Sequence, residues 1–166
     1  MPILDSQTVE FISRNPGQTR RVGMRLGGLL KTGDVICLQG DLGSGKTTLV
    51  QGICAGWGSL DHATSPTFVL VNVYRRTEDG SQLFHLDAYR LANSTEAADL
   101  DITNLSDHGP LIIEWAERIQ EALPQDHLRI SLSWVDENQR DMVFSAFGSR
   151  YQILLYDFRK SVYGVA

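Results

Sequence analysis

The chain has 166 residues, 42% of them hydrophobic, with a formal net charge of −5 and a pI near 5.3. This length suits a single domain over residues 1–166 with a substantial core. The acidic total argues against a direct nucleic-acid surface, which needs a basic footprint, and no apolar run approaches the about 18 residues of a membrane span. The N-terminus has no basic segment before an apolar run, so we expect no signal peptide and a cytoplasmic protein.

The first predicted elements are a strand and a helix. Residues 7–13 are weakly strand-like. Asn15 followed by Pro16 is typical of a helix start, with a capping side chain before a proline at the first helical position. Apolar residues at helical spacing continue to Leu30, and Gly33 is expected to end this helix.

A glycine-rich stretch at residues 40–47 matches the phosphate-loop pattern G-x-x-x-x-G-K-[ST] at every fixed position. Asp34–Gln39 before it is predicted to be a short buried strand, and Lys46 to about Gly56 a helix with one apolar side. Strand, loop and helix are the context in which this motif binds nucleoside triphosphates. The alternative is a glycine-rich turn that matches by chance, which is rare at the usual frequency of glycine.

Each residue type in this loop has a physical role. Glycines let backbone N–H groups turn inward around phosphates, and a side chain at Gly45 would crowd them. The N-terminus of the following helix adds partial positive charge. Lys46 can reach the β- and γ-phosphates and the Thr47 hydroxyl can ligate Mg²⁺, so the loop predicts a nucleoside triphosphate and magnesium as ligands.

Segments after the loop predict further strands. Val69–Tyr74 and Leu83–Asp87 flank an acidic-glycine turn, which predicts an antiparallel hairpin and a departure from an all-parallel sheet. Pro110–Trp115 is a buried strand that ends in a carboxylate. Alternation of apolar and polar residues predicts a second hairpin from His127–Trp134 and Met142–Phe147.

The remaining segments have weaker patterns. Residues 100–107 are irregular or weakly helical, and Ala116–Ala122 is predicted to be a short helix. Residues 136–140 are expected to form a turn. The tail, residues 150–166, is expected to pack in part, with a frayed end from Ser161 onward.

Cysteines and histidines indicate no metal centre. Cys37 and Cys54 fall in a predicted buried strand and on a predicted buried helix face. The two could form one disulfide, but packed free thiols are the better prediction. The four histidines are scattered, without the spacing of metal ligands.

A phosphate loop needs a magnesium carboxylate at the end of a neighbouring strand, and two candidates exist. Glu114 closes the apolar run Leu111–Ile113, and Asp87 closes the strand that precedes it in the chain. Asp87 could orient the attacking water or hold a water of the metal shell, and the two roles could be swapped. The alternative for either residue is an acid that caps the turn after its strand.

Three other residues are weighed against ordinary structural explanations. Thr67, after Ser65-Pro66, lies where switch loops close on a γ-phosphate, although an ordinary turn explains it equally well. His85 shares a strand face with Asp87 and is more often a packed histidine than a base. Trp115 is expected to lie in the core or at the lip of a pocket.

Four motifs occur in order within residues 15–120 and are together more specific than the loop alone. They are Gly40–Thr48, Ser65–Phe68, His85–Leu91 and Leu111–Trp115. With these motifs the chain resembles the bacterial TsaE family, formerly YjeE, of ATPases that assist the biosynthesis of threonylcarbamoyladenosine in transfer RNA. One departure is Ala88, where a larger apolar residue is usual, and its side chain is expected to point away from the face of Asp87.

The resemblance implies an α/β fold, a P-loop NTPase-like three-layer sandwich with a mixed parallel and antiparallel central sheet. It implies that Thr47 and Glu114 bind Mg²⁺. The catalytic residues that it implies are Lys46, Thr67 and Asp87. The ATP-binding residues that it implies are Gly43, Ser44, Gly45, Lys46, Thr47, Thr48 and Asp87.

The resemblance also implies a partner, and it leaves two alternatives open. In the family the protein binds a TsaB–TsaD heterodimer, and its slow ATP hydrolysis resets that complex, so transfer RNA is reached only through the partner. A small-molecule or nucleotide kinase would share the loop, but kinases usually carry an arginine-rich lid, and this chain has 15 lysines and arginines with no such insertion. A non-hydrolytic adaptor gated by ATP is the other alternative.

Overall fold

The computed structural model describes residues 3–5, 7–41, 43–59, 71–90 and 101–163, and these form one sheet of eight strands with helices on both faces. The strands are β1 (Ile3–Asp5), β2 (Thr8–Ser13), β3 (Val35–Gln39), β4 (Val71–Arg75), β5 (Gln82–Asp87), β6 (Leu111–Glu114), β7 (His127–Trp134) and β8 (Arg140–Phe147). Their order across the sheet is β1-β2-β8-β7-β3-β6-β5-β4.

Four α-helices and two short 3₁₀ segments accompany these strands in the described part of the chain, and the last helix follows the last strand. The α-helices are α1 (Pro16–Gly27), α2 (Lys46–Trp57), α3 (Ile102–His108) and α4 (Ser149–Tyr163). The 3₁₀ segments are Ala88–Arg90 and Ala116–Ala122. None of the helices in the described residues is long and apolar enough to cross a membrane.

The sheet is mixed, as the sequence predicts. Strands β7, β3, β6 and β5 run parallel to their neighbours in the centre of the sheet. Strand β4 pairs antiparallel with β5 at one edge, and β8, β2 and β1 continue antiparallel beyond β7. Both predicted hairpins are therefore confirmed.

Apolar side chains cover both faces of the sheet, which makes three layers. Helices α1, α2 and α4 pack on one face over a core that includes Leu38, Ile112 and Phe144. Helix α3 and the 3₁₀ segments cover the other face, over residues such as Ile113. Successive residues of a strand point to opposite faces, so Ile112 and Ile113 reach different layers. The three-layer α/β sandwich is confirmed.

Helices α1 and α2 approach so closely that glycines line their contact. A Cβ atom on Gly27 would lie 2.0 Å from the carbonyl oxygen of Ile53, and one on Gly52 would lie 2.1 Å from that of Arg20. Gly23 of α1 is similarly close to the backbone of α2. Because α2 begins at the phosphate loop, this contact fixes the position of the loop's helix against the sheet.

Asp34 anchors the start of β3 through an ion pair in which the acid is buried and the arginine is partly exposed. Its carboxylate is 2% exposed and accepts two hydrogen bonds from Arg150 of α4, at 2.8 Å from Nε and 2.7 Å from the terminal nitrogen. The amide of Lys31 donates a third bond to the same carboxylate, at 2.8 Å. A paired fork of this kind holds the loop-bearing strand to the C-terminal helix.

Three predictions need correction. Helix α1 ends at Gly27, because Leu29 and Leu30 fold back and donate their amides to Leu26 and Gly27 instead of continuing the helix to Gly33. Arg140 is the first residue of β8 and not part of a turn.

The tail prediction is also wrong in its extent. Helix α4 continues through Ser161 to Tyr163, whose hydroxyl donates to the carbonyl of Glu10 at 3.2 Å. Residues 150–163 are therefore a packed helix, and residues 164–166 lie outside the described part. The weakly helical alternative for residues 100–107 is confirmed by α3, which begins after a capping contact from Asp101 to the amide of Asn104.

Both cysteines are buried free thiols, as expected. Cys37 lies on β3 and Cys54 on α2, on opposite sides of the sheet. Burial raises the pKa of each thiol to about 12. Both side chains therefore contribute packing and have little thiolate character at neutral pH.

Candidate functional site

The phosphate loop, residues 40–47, joins the end of β3 to the start of α2. Gly43 and Gly45 have φ values of 80° and 99°, a left-handed conformation that residues with a Cβ rarely adopt. Gly45 is also the N-cap of α2, and it has no side chain that could bond to the first amides of the helix. The backbone geometry that the glycine pattern predicts is therefore present.

Lys46 lies with its ammonium group inside the loop. Its Nζ donates to the carbonyl oxygens of Gly40 and Asp41, the latter at 3.0 Å, and lies 3.4 Å from the hydroxyl of Ser44. The Trp115 ring lies beneath Nζ, and the distance from Nζ to the ring centroid is 4.0 Å, which is a cation–π contact. The ammonium is thus held by oxygens and an aromatic face at the centre of the loop.

Burial and nearby acids act on Lys46 in opposite directions. The side chain is 5% exposed, and burial lowers the pKa of its ammonium. The carboxylates of Glu114, Glu117, Asp41 and Asp87 partly offset this effect. An anion that reached the ammonium would stabilise its charged form and so oppose the effect of burial on its pKa.

Glu114 and Asp87 lie side by side at the carboxyl ends of β6 and β5. Their Cα atoms are register partners, and Glu114 is also the register partner of Leu38 in β3. Glu114 therefore lies one strand from the phosphate loop, and Asp87 lies two strands from it. Glu114 is 3% exposed, whereas Asp87 is half-buried and accepts the amide of Tyr89 at 2.9 Å.

A cavity of about 450 Å³ brings most of the predicted site residues together. The predicted residues that line it are Gly43, Gly45, Lys46, Thr47, Thr48, Asp87 and Glu114. Ser44 does not line it, because its side chain is 1% exposed and its amide donates to the carbonyl of Asp41. Thr67 lies outside the described residues.

Three residues at this cavity were not predicted as site residues. Trp115, expected either in the core or at the lip of a pocket, lines this cavity. Its φ is 58°, a strained value for a residue with a side chain. Tyr89 packs on the Trp115 ring at 5.0 Å between centroids. Arg140 donates from Nε to the carbonyl of Gly43 at 3.2 Å and so ties β8 to the loop.

The donors around the cavity fit a magnesium ion that arrives with phosphates. No group of three or more His, Cys, Asp or Glu side chains that could hold a metal exists in the described ranges. Mg²⁺ is usually bound through one or two carboxylates plus substrate phosphates and keeps several waters, so it needs no such protein cage. Glu114 and the hydroxyl of Thr47 are oxygen donors of the required kind at the same cavity.

A family profile described as threonylcarbamoyl adenosine biosynthesis protein TsaE matches residues 13–142. The chain belongs to the TsaE family. This range runs from the last residue of β2 to the third residue of β8 and contains the loop, both strand-end acids and Trp115. The resemblance carried by the four sequence motifs is therefore confirmed.

Relatives in several bacteria carry the same family name. The chain is 37% identical to the tRNA threonylcarbamoyladenosine biosynthesis protein TsaE of Bacillus subtilis, over 84% of this chain and 87% of the relative. It is 44% identical to that of Streptomyces coelicolor, over 68% of this chain and 77% of the relative. These relatives support a role for this TsaE family member in threonylcarbamoyladenosine biosynthesis.

A solved structure confirms the fold. The crystal structure of Bacillus subtilis YdiB superposes with a TM-score of 0.73 at 31% identity, covering 93% of this chain and 95% of the other. The departure at Ala88 fits the fold as expected, because this fully buried methyl group packs in the apolar layer opposite α2. Asp87, one residue earlier, faces the cavity.

Proposed function

We propose that this TsaE family member binds ATP with Mg²⁺ at the phosphate loop and hydrolyses it in the cytoplasm. The observation that carries the proposal is the convergence of Lys46, Glu114 and Asp87 on one cavity beside the left-handed glycines of the loop. A cation, two acids and uncapped helix amides are the groups that phosphoryl transfer from a nucleoside triphosphate requires.

In this proposal the loop holds the phosphates. The amides of Gly43 and Gly45–Thr48 surround them, and the Lys46 ammonium neutralises charge on the β- and γ-phosphates. The Gly40 and Asp41 carbonyls that now accept from Lys46 would yield part of its bonding to phosphate oxygens. Because the ammonium is buried, each bond that it makes to an anion is stronger than it would be in water.

The two acids take different roles in this proposal. Thr47 and Glu114 hold the metal, which when bound neutralises charge that develops on the phosphates. Asp87 lies one strand farther from the loop and is half-buried, so it can accept a hydrogen bond from the water that attacks the γ-phosphate. Thr67 is proposed as the switch threonine, on the basis of its motif alone.

The proposed partner is a TsaB–TsaD heterodimer, with hydrolysis driving its turnover. Tyr89 supports a site that a partner can influence, because its side chain is 53% exposed while its amide bonds to Asp87. The Tyr89 ring centroid lies 5.2 Å from the Arg118 guanidinium carbon and 5.0 Å from the ring centroid of Trp115. A protein that contacts this exposed ring would therefore contact the residue whose backbone amide bonds to the proposed water-positioning carboxylate of Asp87.

The test is phosphate release by the purified protein, alone and with the purified heterodimer. We expect slow Mg²⁺-dependent release that rises when the heterodimer is added and disappears in Lys46→Ala. Nucleotide binding without release under either condition would indicate an ATP-gated adaptor. A phosphorylated small molecule among the products would indicate a kinase, and both results would contradict the proposal.

A further inference from the structure

His85 is a fully buried histidine on β5, in the strand that ends at Asp87. Its side chain points to the face of the sheet that α2 covers, since it alternates with Phe84 and Leu86 of the opposite layer. A polar ring in such a position needs hydrogen-bond partners, because a buried polar group without them is destabilising.

Both ring nitrogens of His85 have partners on the neighbouring strands. Nε2 contacts Oε2 of Glu114 on β6, and Nδ1 lies 3.4 Å from the hydroxyl of Tyr74 on β4. The side-chain Nδ2 of Asn72 donates to the same hydroxyl at 3.3 Å. A chain of polar groups therefore crosses three adjacent strands and ends at the carboxylate proposed to bind the metal.

The proposed metal role of Glu114 fixes the direction of its hydrogen bond with His85. A carboxylate that serves as a metal ligand is ionised and can only accept, so Nε2 donates to Glu114. In a neutral imidazole with this tautomer Nδ1 is an acceptor, and the Tyr74 hydroxyl can donate to it. The contact occupies one lone pair of Oε2 and leaves the remaining lone pairs of the carboxylate for other ligands.

We propose that His85 is a positioning residue that holds the Glu114 carboxylate in the orientation needed to ligate Mg²⁺, with Tyr74 fixing the imidazole. This inference rests on the proposed function. A buried carboxylate without this donor would rotate or bond elsewhere, and outer partners of metal ligands commonly change metal affinity by about 10- to 100-fold. His85 itself touches neither nucleotide nor metal in this account.

The experiment measures the Mg²⁺ concentration that gives half of the magnesium-dependent gain in ATP affinity, and the ATP affinity in EDTA. We expect His85→Leu to raise this Mg²⁺ concentration about 10- to 100-fold and to leave the affinity in EDTA unchanged. His85→Gln keeps an N–H donor toward Glu114 and should stay within about 3-fold of the wild type. Leu86→Val, on the same strand but in the opposite layer, controls for a general loss of packing.

The outcomes separate this inference from the proposed function. If the wild type gains no ATP affinity from Mg²⁺, the proposed metal site is wrong and the role of His85 falls with it. If the wild type gains ATP affinity from Mg²⁺ and His85→Leu needs no more Mg²⁺ for half of that gain, only the proposed role of His85 is wrong. If His85→Leu fails to fold, His85→Asn takes its place, because the Asn side chain is too short to reach Glu114. A half-gain Mg²⁺ concentration about 10-fold higher in His85→Asn than in His85→Gln supports the proposal. Equal Mg²⁺ concentrations in the two variants overturn it.

Discussion

Asp87 and Glu114 are register partners at the carboxyl ends of adjacent parallel strands. Asp87 is half-buried, whereas Glu114 is only 3% exposed. Glu114 is also one strand closer to the phosphate loop. This arrangement is the basis of the proposal that Glu114 holds the metal and Asp87 orients the attacking water.

The two acids should therefore respond differently to loss of charge. Asp87→Asn should bind Mg-ATP nearly as the wild type does and lose on the order of 100-fold in hydrolysis rate, the usual contribution of a group that handles the proton of a nucleophile. Glu114→Gln should lose the dependence of ATP binding on Mg²⁺. Calorimetry with and without Mg²⁺, together with single-turnover phosphate release, separates the two effects. The opposite pattern would show that the roles are exchanged.

Arg150→Ala should destabilise the fold without changing nucleotide binding. The substitution leaves the amide of Lys31 as the described hydrogen-bond donor to the buried Asp34 carboxylate. Asp34 lies at the end of β3 that is opposite the phosphate loop. We expect a loss of about 2 kcal/mol in the free energy of unfolding, less than the about 3–5 kcal/mol of a fully buried pair, because the Arg150 side chain is 33% exposed. Urea unfolding measures the loss, and Arg150→Lys, which cannot form the fork, should show a smaller one. An unchanged unfolding midpoint in Arg150→Ala would contradict this role.

Gly52→Ala should be more damaging than an ordinary helix substitution. The new methyl group would lie 2.1 Å from the Arg20 carbonyl oxygen, so α1 and α2 would have to separate, at a cost of about 1–3 kcal/mol or more. Gly28→Ala is the matched control, because its φ is −66° and the nearest atoms to its Cβ are 3.8 Å away. Thermal unfolding should rank Gly52→Ala clearly below both the wild type and Gly28→Ala. Equal melting temperatures for the two variants would show that the helices are not in fixed contact.

Local patterns predicted the elements well because each depends on neighbouring residues. The loop motif, the capping pair Asn15-Pro16 and the alternation in β7 all produced the expected structure. The helical tail was missed although Tyr151, Leu154, Leu155 and Phe158 are spaced for one helix face. That spacing was a usable signal for a helix, whereas only partial packing of the tail was predicted.

Contacts between distant segments could not be predicted in the same way. The bond from Arg140 to Gly43 and the contact of His85 with Glu114 depend on which strands are neighbours and on their register. The packing of Trp115 under Lys46 depends on its left-handed backbone, which its sequence position does not reveal. The candidate site was therefore predictable as a set of residues but not as a network.

The buried thiols predict a pH dependence of stability. Burial raises the pKa of Cys37 and Cys54 to about 12 from an ordinary value of 9.0. The stability that each neutral thiol contributes is therefore complete below pH 9 and is lost as pH rises from 9 toward 12. Urea unfolding at pH 8 and pH 10 should show this loss. The free energy of unfolding of the Cys37→Ala/Cys54→Ala protein should decrease less over the same interval. The difference from the wild type is up to about 1.4 kcal/mol per pH unit for each thiol. Parallel decreases would mean that the thiols do not contribute to it.

The most direct test of the account is a calorimetric titration of the wild type and of Lys46→Ala with Mg-ATP. The account predicts saturable binding with one site per wild-type chain. It predicts binding on the order of 100-fold weaker in Lys46→Ala, because about 2.7 kcal/mol of charge-assisted bonding is lost while circular dichroism remains unchanged. A wild-type protein that shows no binding at saturating Mg-ATP, or a Lys46→Ala protein that binds equally well, would contradict it.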